Sequence, residues 1–394
     1  MNSKVREKFN SEFSEENYKQ FLADLNSSLK YPADFRVAET PIFLTESFAI
    51  DLINSSHEIV NQIMSEEFVQ HSQNAVPDKL NVPNEKDHPA FLQIDFAVCM
   101  DDDGKYVPRL IELQGFPSMY GFQYYLDKLT RKHHKIPKNY STFFNGIDSK
   151  SYIKVLRDLI IGKSDPENVV LMDIKPEKQK TRIDFAATEQ LIGINTVCIT
   201  KIIQKKNKLY YKNGSKEIPI DRIYNRVIFD ELLREKVEYH FDFKHDLDVE
   251  WVSHPNWFFK ISKHTLPFLS GDFVPECYFL DELDEYPVDI ENFVLKPLYS
   301  FAGHGIELDV TAKLLDGLKD RSNYILQAKV DYAPVIKTPE DYSKAEIRMM
   351  FVWEDIPILI NNLVRLSKGR MMGVDHNKNK TWVGSSLAYH PIVY

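Results

Sequence analysis

The sequence is poor in glycine, cysteine and long apolar runs, and it has no excess of basic residues. Only 14 of its 394 residues are glycine. Its three cysteines lie far apart, which argues against a disulfide framework or a cysteine-rich zinc site and favours a reducing compartment. No apolar run reaches about 18 residues, so no membrane span is expected. A formal net charge of −9 argues against general binding to nucleic acid or to an anionic membrane.

Aromatic residues, in contrast, are abundant at 12% of the chain. A chain of this length and aromatic content can bury a large core, arranged in two or three domains or in one elaborate domain. The first residues contain no apolar signal core and are rich in acidic side chains. We therefore expect a folded cytoplasmic protein.

Apolar periodicity predicts the coarse order of elements in the first part of the chain. A hairpin is expected where the strands at 91–100 and 106–115 flank the turn at Asp102 to Gly104. Helices are predicted at 15–30, 46–66, 120–132 and 151–161.

From residue 168 the pattern changes to alternating strands and helices. Strands at 169–173 and 196–202 flank a helix at 181–192, which is typical of a small doubly wound α/β unit. A helix is predicted at 262–269. Strands at 292–297, 323–330, 345–353 and 357–366 then predict a mostly antiparallel sheet.

A lysine at the end of a predicted strand is followed at once by a Ser/Gly turn. Lys296 ends the strand, and Ser300, Gly303 and Gly305 lie in the turn. Backbone N–H groups in such a turn can surround phosphate oxygens, and the lysine adds a point charge. For the Gly-x-Gly alone a plain hairpin turn is the preferred explanation, and no Walker A ending is present.

Further polar groups follow predicted strands and a helix. Lys263 enters a helix, and Arg348 and Arg365 each lie among apolar neighbours on adjacent strands, where an unpaired charge is costly. Their partner is either Glu346 or a phosphate oxygen. The segment Gln327, Ala328 and Lys329 ends a strand whose exposed backbone could pair with a purine edge.

Two carboxylates alternate with apolar residues on the early hairpin. Asp95 lies on its first strand and Glu112 on its second, with Gln114 two residues further on. Paired carboxylates on adjacent strands can share Mg²⁺, which takes its other ligands from water and phosphate. The alternative is that each carboxylate simply faces solvent.

Taken together, these segments resemble the ATP-grasp fold, and in particular its circularly permuted branch. The carboxylate strands come first here, and the lysine strand, Gly-rich loop, hinge and arginine strands follow. This order is similar to the synthetase domain of the glutathionylspermidine synthase family. The resemblance covers roughly residues 90–394. Gln114 stands where that family has a metal-binding Asn, and Gln93 where it has an arginine.

The resemblance implies an α/β (α+β) ATP-grasp-like fold, circularly permuted, with a small doubly wound subdomain. It implies a helical segment at 1–80, a metal-binding hairpin and helix at 81–150, a small α/β domain at 151–245 and a nucleotide-binding domain at 246–394. It also implies an ATP-dependent carboxylate–amine ligase that uses Mg²⁺ and an acyl phosphate. The alternatives are phosphorylation without ligation and a non-catalytic nucleotide-binding relative.

Site roles follow from the same resemblance. Asp95, Glu112 and Gln114 would hold Mg²⁺, and Arg348 and Arg365 would act in catalysis at the γ-phosphate and the acyl phosphate. The nucleotide would be bound by Lys263, Lys296, Ser300, Gly303, Gly305, Gln327, Ala328 and Lys329. The partners implied are a small-molecule or peptide carboxylate and an amine.

Overall fold

Helices dominate the first half of the chain. In the computed structural model, which describes residues 1–300, 304–373, 377 and 379–392, most longer helices begin at a capping side chain. Thr45 accepts a hydrogen bond from the amide of Phe48, for example. The helices are α1 (Ser3–Glu12), α2 (Glu15–Ser27), α3 (Glu46–Ile63), α4 (Glu66–Gln73), α5 (Tyr120–His133), α6 (Ser149–Ile161), α7 (Arg182–Ile192), α8 (Phe229–Arg234), α9 (Trp257–Lys260) and α10 (Ala312–Asp316).

Strands occur throughout the chain and are the main elements of its second half. Those before residue 230 are β1 (Ile42–Phe43), β2 (Phe91–Met100), β3 (Tyr106–Gln114), β4 (Tyr140–Ser141), β5 (Val169–Asp173), β6 (Asn195–Cys198), β7 (Ile203–Lys205), β8 (Lys208–Asn213), β9 (Lys216–Ile220) and β10 (Arg222–Asn225). The later strands are β11 (Glu250–Trp251), β12 (Cys277–Phe279), β13 (Phe293–Pro297), β14 (Tyr324–Ala328), β15 (Ile336–Lys337), β16 (Tyr342–Trp353), β17 (Pro357–Ser367), β18 (Gly384–Ser386) and β19 (Ala388–Pro391).

The central sheet joins the two ends of the sequence. Its strand order is β18-β17-β16-β2-β3, with every neighbouring pair antiparallel. Side chains alternate between its two faces, and Leu92, Ile94 and Phe96 of β2 pack into an apolar core that includes residues of α3. The early hairpin and the late strands predicted at 345–353 and 357–366 are therefore confirmed, and these four strands lie in one sheet, whereas the strands predicted at 292–297 and 323–330 lie in another.

The alternating segment that begins at residue 168 forms a parallel sheet with the order β11-β10-β5-β6. The predicted strand at 196–202 is wrong in its second half. Strand β6 ends at Cys198, which pairs with Asp173, the last residue of β5. With no partner beyond that pair, the chain forms a 3-10 turn at Ile199–Lys201.

A smaller antiparallel sheet, β12-β14-β13, lies beside the edge strand β3. The Lys296 ammonium on β13 donates a hydrogen bond to the Ile111 carbonyl on β3 at 3.2 Å. The predicted helix at 262–269 is a 3-10 helix, Lys263–Phe268, that contains Pro267, which lacks an amide hydrogen to donate. Together these layers make a mixed α+β fold. None of the described helices is both long and apolar enough to cross a bilayer.

A buried ion pair fastens the parallel sheet to the helices. The Arg226 guanidinium lies 2.7 Å from the Asp184 carboxylate, and both side chains are at most 5% exposed. The same carboxylate accepts hydrogen bonds from the amides of Met119 and Phe122 at the start of α5. Asp184 on α7 thus connects the residue that follows β10 to the start of α5.

Removing this carboxylate should destabilise the protein strongly. We expect Asp184→Ala to lower the free energy of unfolding by roughly 3–5 kcal/mol, because it leaves the buried Arg226 cation without its partner. Urea denaturation followed by circular dichroism measures the loss. Asp158→Ala is the matched control, since Asp158 is half-exposed and pairs with an exposed lysine. It should cost less than about 1 kcal/mol, and equal losses would contradict the special role of Asp184.

Candidate active site

The central sheet brings together charged side chains that lie far apart in the sequence. Asp95 on β2 is in register with Glu112 on β3 and with Arg348 on β16. Glu346, two residues before Arg348, is in register with Arg365 on β17. Directly opposed residues of neighbouring strands point to the same side of a sheet, so all five side chains share one face.

Asp95 is held by both arginines. Arg348 donates two hydrogen bonds to it, from Nε to Oδ1 and from Nη2 to Oδ2, each at 2.6 Å. Arg365 adds a third to Oδ2 at 2.8 Å and also pairs with Glu346. Burial opposes the charge of Arg348, but the Asp95 carboxylate raises its pKa. Because both oxygens of Asp95 face cations, this carboxylate is already engaged and offers little to a metal ion.

The two predicted lysines both contact the edge strand β3, Lys263 at Glu112 and Lys296 at the Ile111 carbonyl. The Lys263 ammonium lies 3.9 Å from Glu112 Oε2 and donates to the Ser300 carbonyl at 2.6 Å. The Lys296 ammonium donates to Gln327 Oε1 at 2.5 Å. Both lysines are buried. Burial and the neighbouring Lys263 charge lower the pKa of Lys296, although the Glu112 carboxylate opposes this.

Glu112 lies where these positive charges converge. Burial alone would raise its pKa, but the charges of Lys263, Arg365 and Arg348 outweigh burial and lower the pKa to about 2. The carboxylate is therefore ionised at neutral pH and available to a cation.

The donor set fits Mg²⁺ at Glu112 and Gln114 better than at Asp95. The amide nitrogen of Gln114 donates to Glu112 Oε1 at 3.0 Å, whereas its buried oxygen Oε1 has no hydrogen-bond partner among the described residues. Magnesium commonly takes one or two protein oxygens and completes its shell with water and phosphate. Nowhere in the described parts of the chain do three or more His, Cys, Asp or Glu residues form a group that could hold a metal by themselves.

The predicted phosphate loop is described at its two ends, and Gly303 lies outside the described residues. Ser300 lines a small cleft together with Glu112, Gln114 and Lys263. Gly305 has φ +72°, and a Cβ atom there would lie 2.8 Å from Cγ of Pro297. This glycine therefore allows both the left-handed turn and its contact with the lysine strand.

The predicted hinge is only partly at the cluster. The Gln327 side chain is buried and bonded to Lys296, as described above. The amides of Ala328 and Lys329 already donate to the carbonyls of Glu276 and Asn292, at 2.8 and 2.7 Å. The Lys329 side chain is exposed and contacts the Glu291 carbonyl. Adenine pairing at these two amides therefore requires their present bonds to open.

Sequence reasoning missed one member of the cluster. The Tyr332 hydroxyl donates to Glu346 Oε2 at 2.8 Å. Burial, and then the Glu346 charge, raise the pKa of this phenol well above its usual value. Tyr332 lies in an irregular segment between β14 and β15, so no periodic pattern marks it.

Comparison with known proteins supports a fold class and no closer relationship. No protein-family profile and no curated protein sequence matches the chain. Its fold, however, is similar to solved structures. In particular, it resembles the apo form of a glutathione synthetase-like effector, GSS30, from Globodera pallida, with a TM-score of 0.57. The alignment covers 96% of each chain at 11% sequence identity, so the likeness concerns the fold alone.

The low pKa of Glu112 gives the site a defined pH dependence. Its pKa falls from about 4.3 in the unfolded chain to about 2 in the folded protein. Its contribution to stability is therefore complete above the unfolded value and is lost as the pH falls towards 2. We expect the stability difference between wild type and Glu112→Gln in urea denaturation to narrow from pH 7 to pH 3. A difference that stays constant would contradict the ionised state of Glu112.

Proposed function

We propose that the protein is an ATP-dependent carboxylate–amine ligase that uses Mg²⁺. One observation carries the proposal: at the edge of the central sheet, the Lys263 ammonium lies 3.9 Å from the Glu112 carboxylate, and the Lys296 ammonium donates to the carbonyl of the adjacent residue, Ile111. The cluster contains one more cation than carboxylate. Its cations are Lys263, Lys296, Arg348 and Arg365, and its carboxylates are Asp95, Glu112 and Glu346.

This charge distribution favours a polyanionic ligand. Burial raises the pKa of Glu346 in spite of the Arg365 cation, and the nearby Asp95 and Glu112 charges add to this rise. A triphosphate supplies several anionic oxygens that can pair with these cations in charge-assisted hydrogen bonds. The lysines are placed for this role because Lys263 also holds the Ser300 carbonyl at the start of the predicted phosphate loop.

In this proposal each side chain has a distinct task. Lys263 and Lys296 bind the α- and β-phosphates, and Glu112 with Gln114 holds Mg²⁺. When bound, Mg²⁺ neutralises part of the phosphate charge. Arg365 is 37% exposed and is the better placed arginine to contact the γ-phosphate. Arg348 is more deeply buried, and its bonds to Asp95 and Gln93 suit a positioning role.

The reaction balances with two substrates besides ATP. A carboxylate oxygen attacks the γ-phosphorus, ADP leaves, and an acyl phosphate forms. An amine then attacks the acyl carbon, phosphate leaves, and the amine nitrogen releases a proton as the amide forms. The cationic side chains stabilise the charge that builds up on the transferred phosphoryl group.

The chain order supports a circularly permuted ATP-grasp arrangement. The carboxylate strands β2 and β3 precede the lysine strand β13, and the arginine strands β16 and β17 come last. This order resembles the synthetase domain of glutathionylspermidine synthase. The structural neighbour is named as glutathione synthetase-like, which is compatible with a ligase on this fold. The domain limits stated above, at residues 80, 150 and 245, remain predictions within this proposal.

A second candidate is a non-catalytic nucleotide-binding protein. One observation favours it: both oxygens of Asp95 already face arginines, so fewer oxygens are free for a metal. Release of ADP that depends on an added amine supports the ligase. Binding of Mg-ATP without its consumption, across a panel of acids and amines, supports the non-catalytic alternative.

Lys296 provides the first test of nucleotide binding. We expect Lys296→Ala to abolish the increase in melting temperature that Mg-ATP gives the wild-type protein, because the variant loses a buried phosphate-binding charge. Differential scanning fluorimetry measures this shift. Lys319→Ala is the control, since Lys319 is exposed, and it should respond to Mg-ATP like the wild type. An unchanged shift in Lys296→Ala would place the nucleotide elsewhere.

Glu112 provides a test of the metal. We expect Glu112→Ala to remove the Mg²⁺ dependence of nucleotide binding, since it deletes the ionised ligand. Calorimetric titration of ATP with Mg²⁺ or with EDTA compares the two conditions. Glu282→Ala, at an exposed glutamate, should keep the difference. If Glu112→Ala also keeps it, the metal binds at other residues.

A further inference from the structure

A second cavity lies on the opposite side of the central sheet from the charged cluster. Trp353 at the end of β16 lines it and belongs to the same apolar core as Ile347 and Met349. These residues alternate along β16 with Glu346 and Arg348, which face the cluster. The cavity measures about 480 Å³, within the range of small-molecule sites. It is therefore a separate space, large enough for a small organic ligand.

Two hydrogen-bond donors at the cavity are not fully used. The indole nitrogen of Trp257 is buried, and no acceptor for it occurs in the described parts of the chain. Lys260, also buried, lies 5.2 Å from the centre of the Trp257 ring. Its ammonium contacts Glu85 at 2.6 Å and Gln73 at 3.1 Å. An ammonium has three donors, so an acceptor oxygen on a ligand could bond to both side chains.

In contrast to these donors, two carboxylates, which can only accept hydrogen bonds, lie at the rim of the cavity. Asp87 and Asp355 line it, and neither forms an ion pair with any of the described residues. Asp355 is exposed at the turn between β16 and β17. These carboxylates can accept a cationic group from a ligand whose acceptor end reaches the floor. The cavity is also lined by apolar side chains, among them Ile63, Val69 and the buried Trp353.

We propose that this cavity binds a small zwitterion with an apolar side chain, which is the chemistry of a free hydrophobic amino acid. Its carboxylate accepts from Trp257 and Lys260, its ammonium pairs with Asp87 and Asp355, and its side chain packs against Trp353. A zwitterion adds no net charge to a buried lysine that already has Glu85 as a partner. Its two ends match the unused donors and the unpaired carboxylates at the same time.

Isothermal titration calorimetry of the nucleotide-free chain with L-phenylalanine tests the proposal. We expect saturable binding at millimolar concentrations. N-acetyl-phenylalanine, which lacks the ammonium, and phenethylamine, which lacks the carboxylate, should each bind more weakly. Absence of saturable heat with L-phenylalanine would overturn the proposal. It would also be overturned if either analogue bound as tightly as L-phenylalanine. Neither result would affect the proposed nucleotide site, because the titration contains no nucleotide.

Two variants locate the binding. Trp257→Phe keeps an aromatic ring and removes the indole N–H, so it should weaken L-phenylalanine binding roughly threefold to tenfold, the effect of one lost hydrogen bond. Asp355→Asn removes a rim charge at an exposed position and should weaken binding without affecting folding. Trp251→Phe, the same change at a buried tryptophan of β11, should leave binding unchanged. Unaltered affinity in both Trp257→Phe and Asp355→Asn would refute the assignment.

Discussion

The arrangement of the candidate site depends on the pairing of Asp95 with Arg348. These side chains lie 253 positions apart, and both are nearly inaccessible to water. A buried charge without a partner is costly, so the pairing favours the strand register in which β2 and β16 are neighbours. That register also places Glu112 on one side of the pair and Arg365 on the other. The ion pair thus sets the positions of the remaining charges.

In the absence of ligand, the protein itself balances most of this charge. Lys263 contacts the Ser300 carbonyl and Glu112. Arg365 pairs with Asp95 and Glu346, and Lys296 donates to Gln327. An incoming polyanion would therefore replace these contacts with its own; it would not enter a space lined by uncompensated positive charge. Affinity then depends on the difference between two sets of ionic contacts.

The sequence allowed four strands of the central sheet to be predicted, but not β18 or β15, and it did not reveal how the side chains pair. Alternation of apolar and polar residues marked β2, β3, β16 and β17, since one face of each strand is buried. The pairing of Arg348 with Asp95 depends on the register between β16 and β2, and no local sequence pattern encodes that register. The 3-10 turn after Cys198 was missed for the same reason, because β6 ends where its neighbour β5 ends. Tyr332 lies in irregular chain, where periodicity gives no signal.

One short segment contributes to both faces of the sheet edge. Trp257 and Lys260 line the second cavity, and Lys263 reaches Glu112 three residues later. The segment is held against β3 by Gly115, whose amide donates to the Ile261 carbonyl at 2.9 Å. A Cβ atom on Gly115 would lie 2.6 Å from the Trp257 carbonyl oxygen, closer than any real Cβ contact. Gly115, one of the few glycines in this chain, is thus required for the close approach of this segment to β3. That approach places Lys260 at the second cavity and Lys263 at the charged cluster.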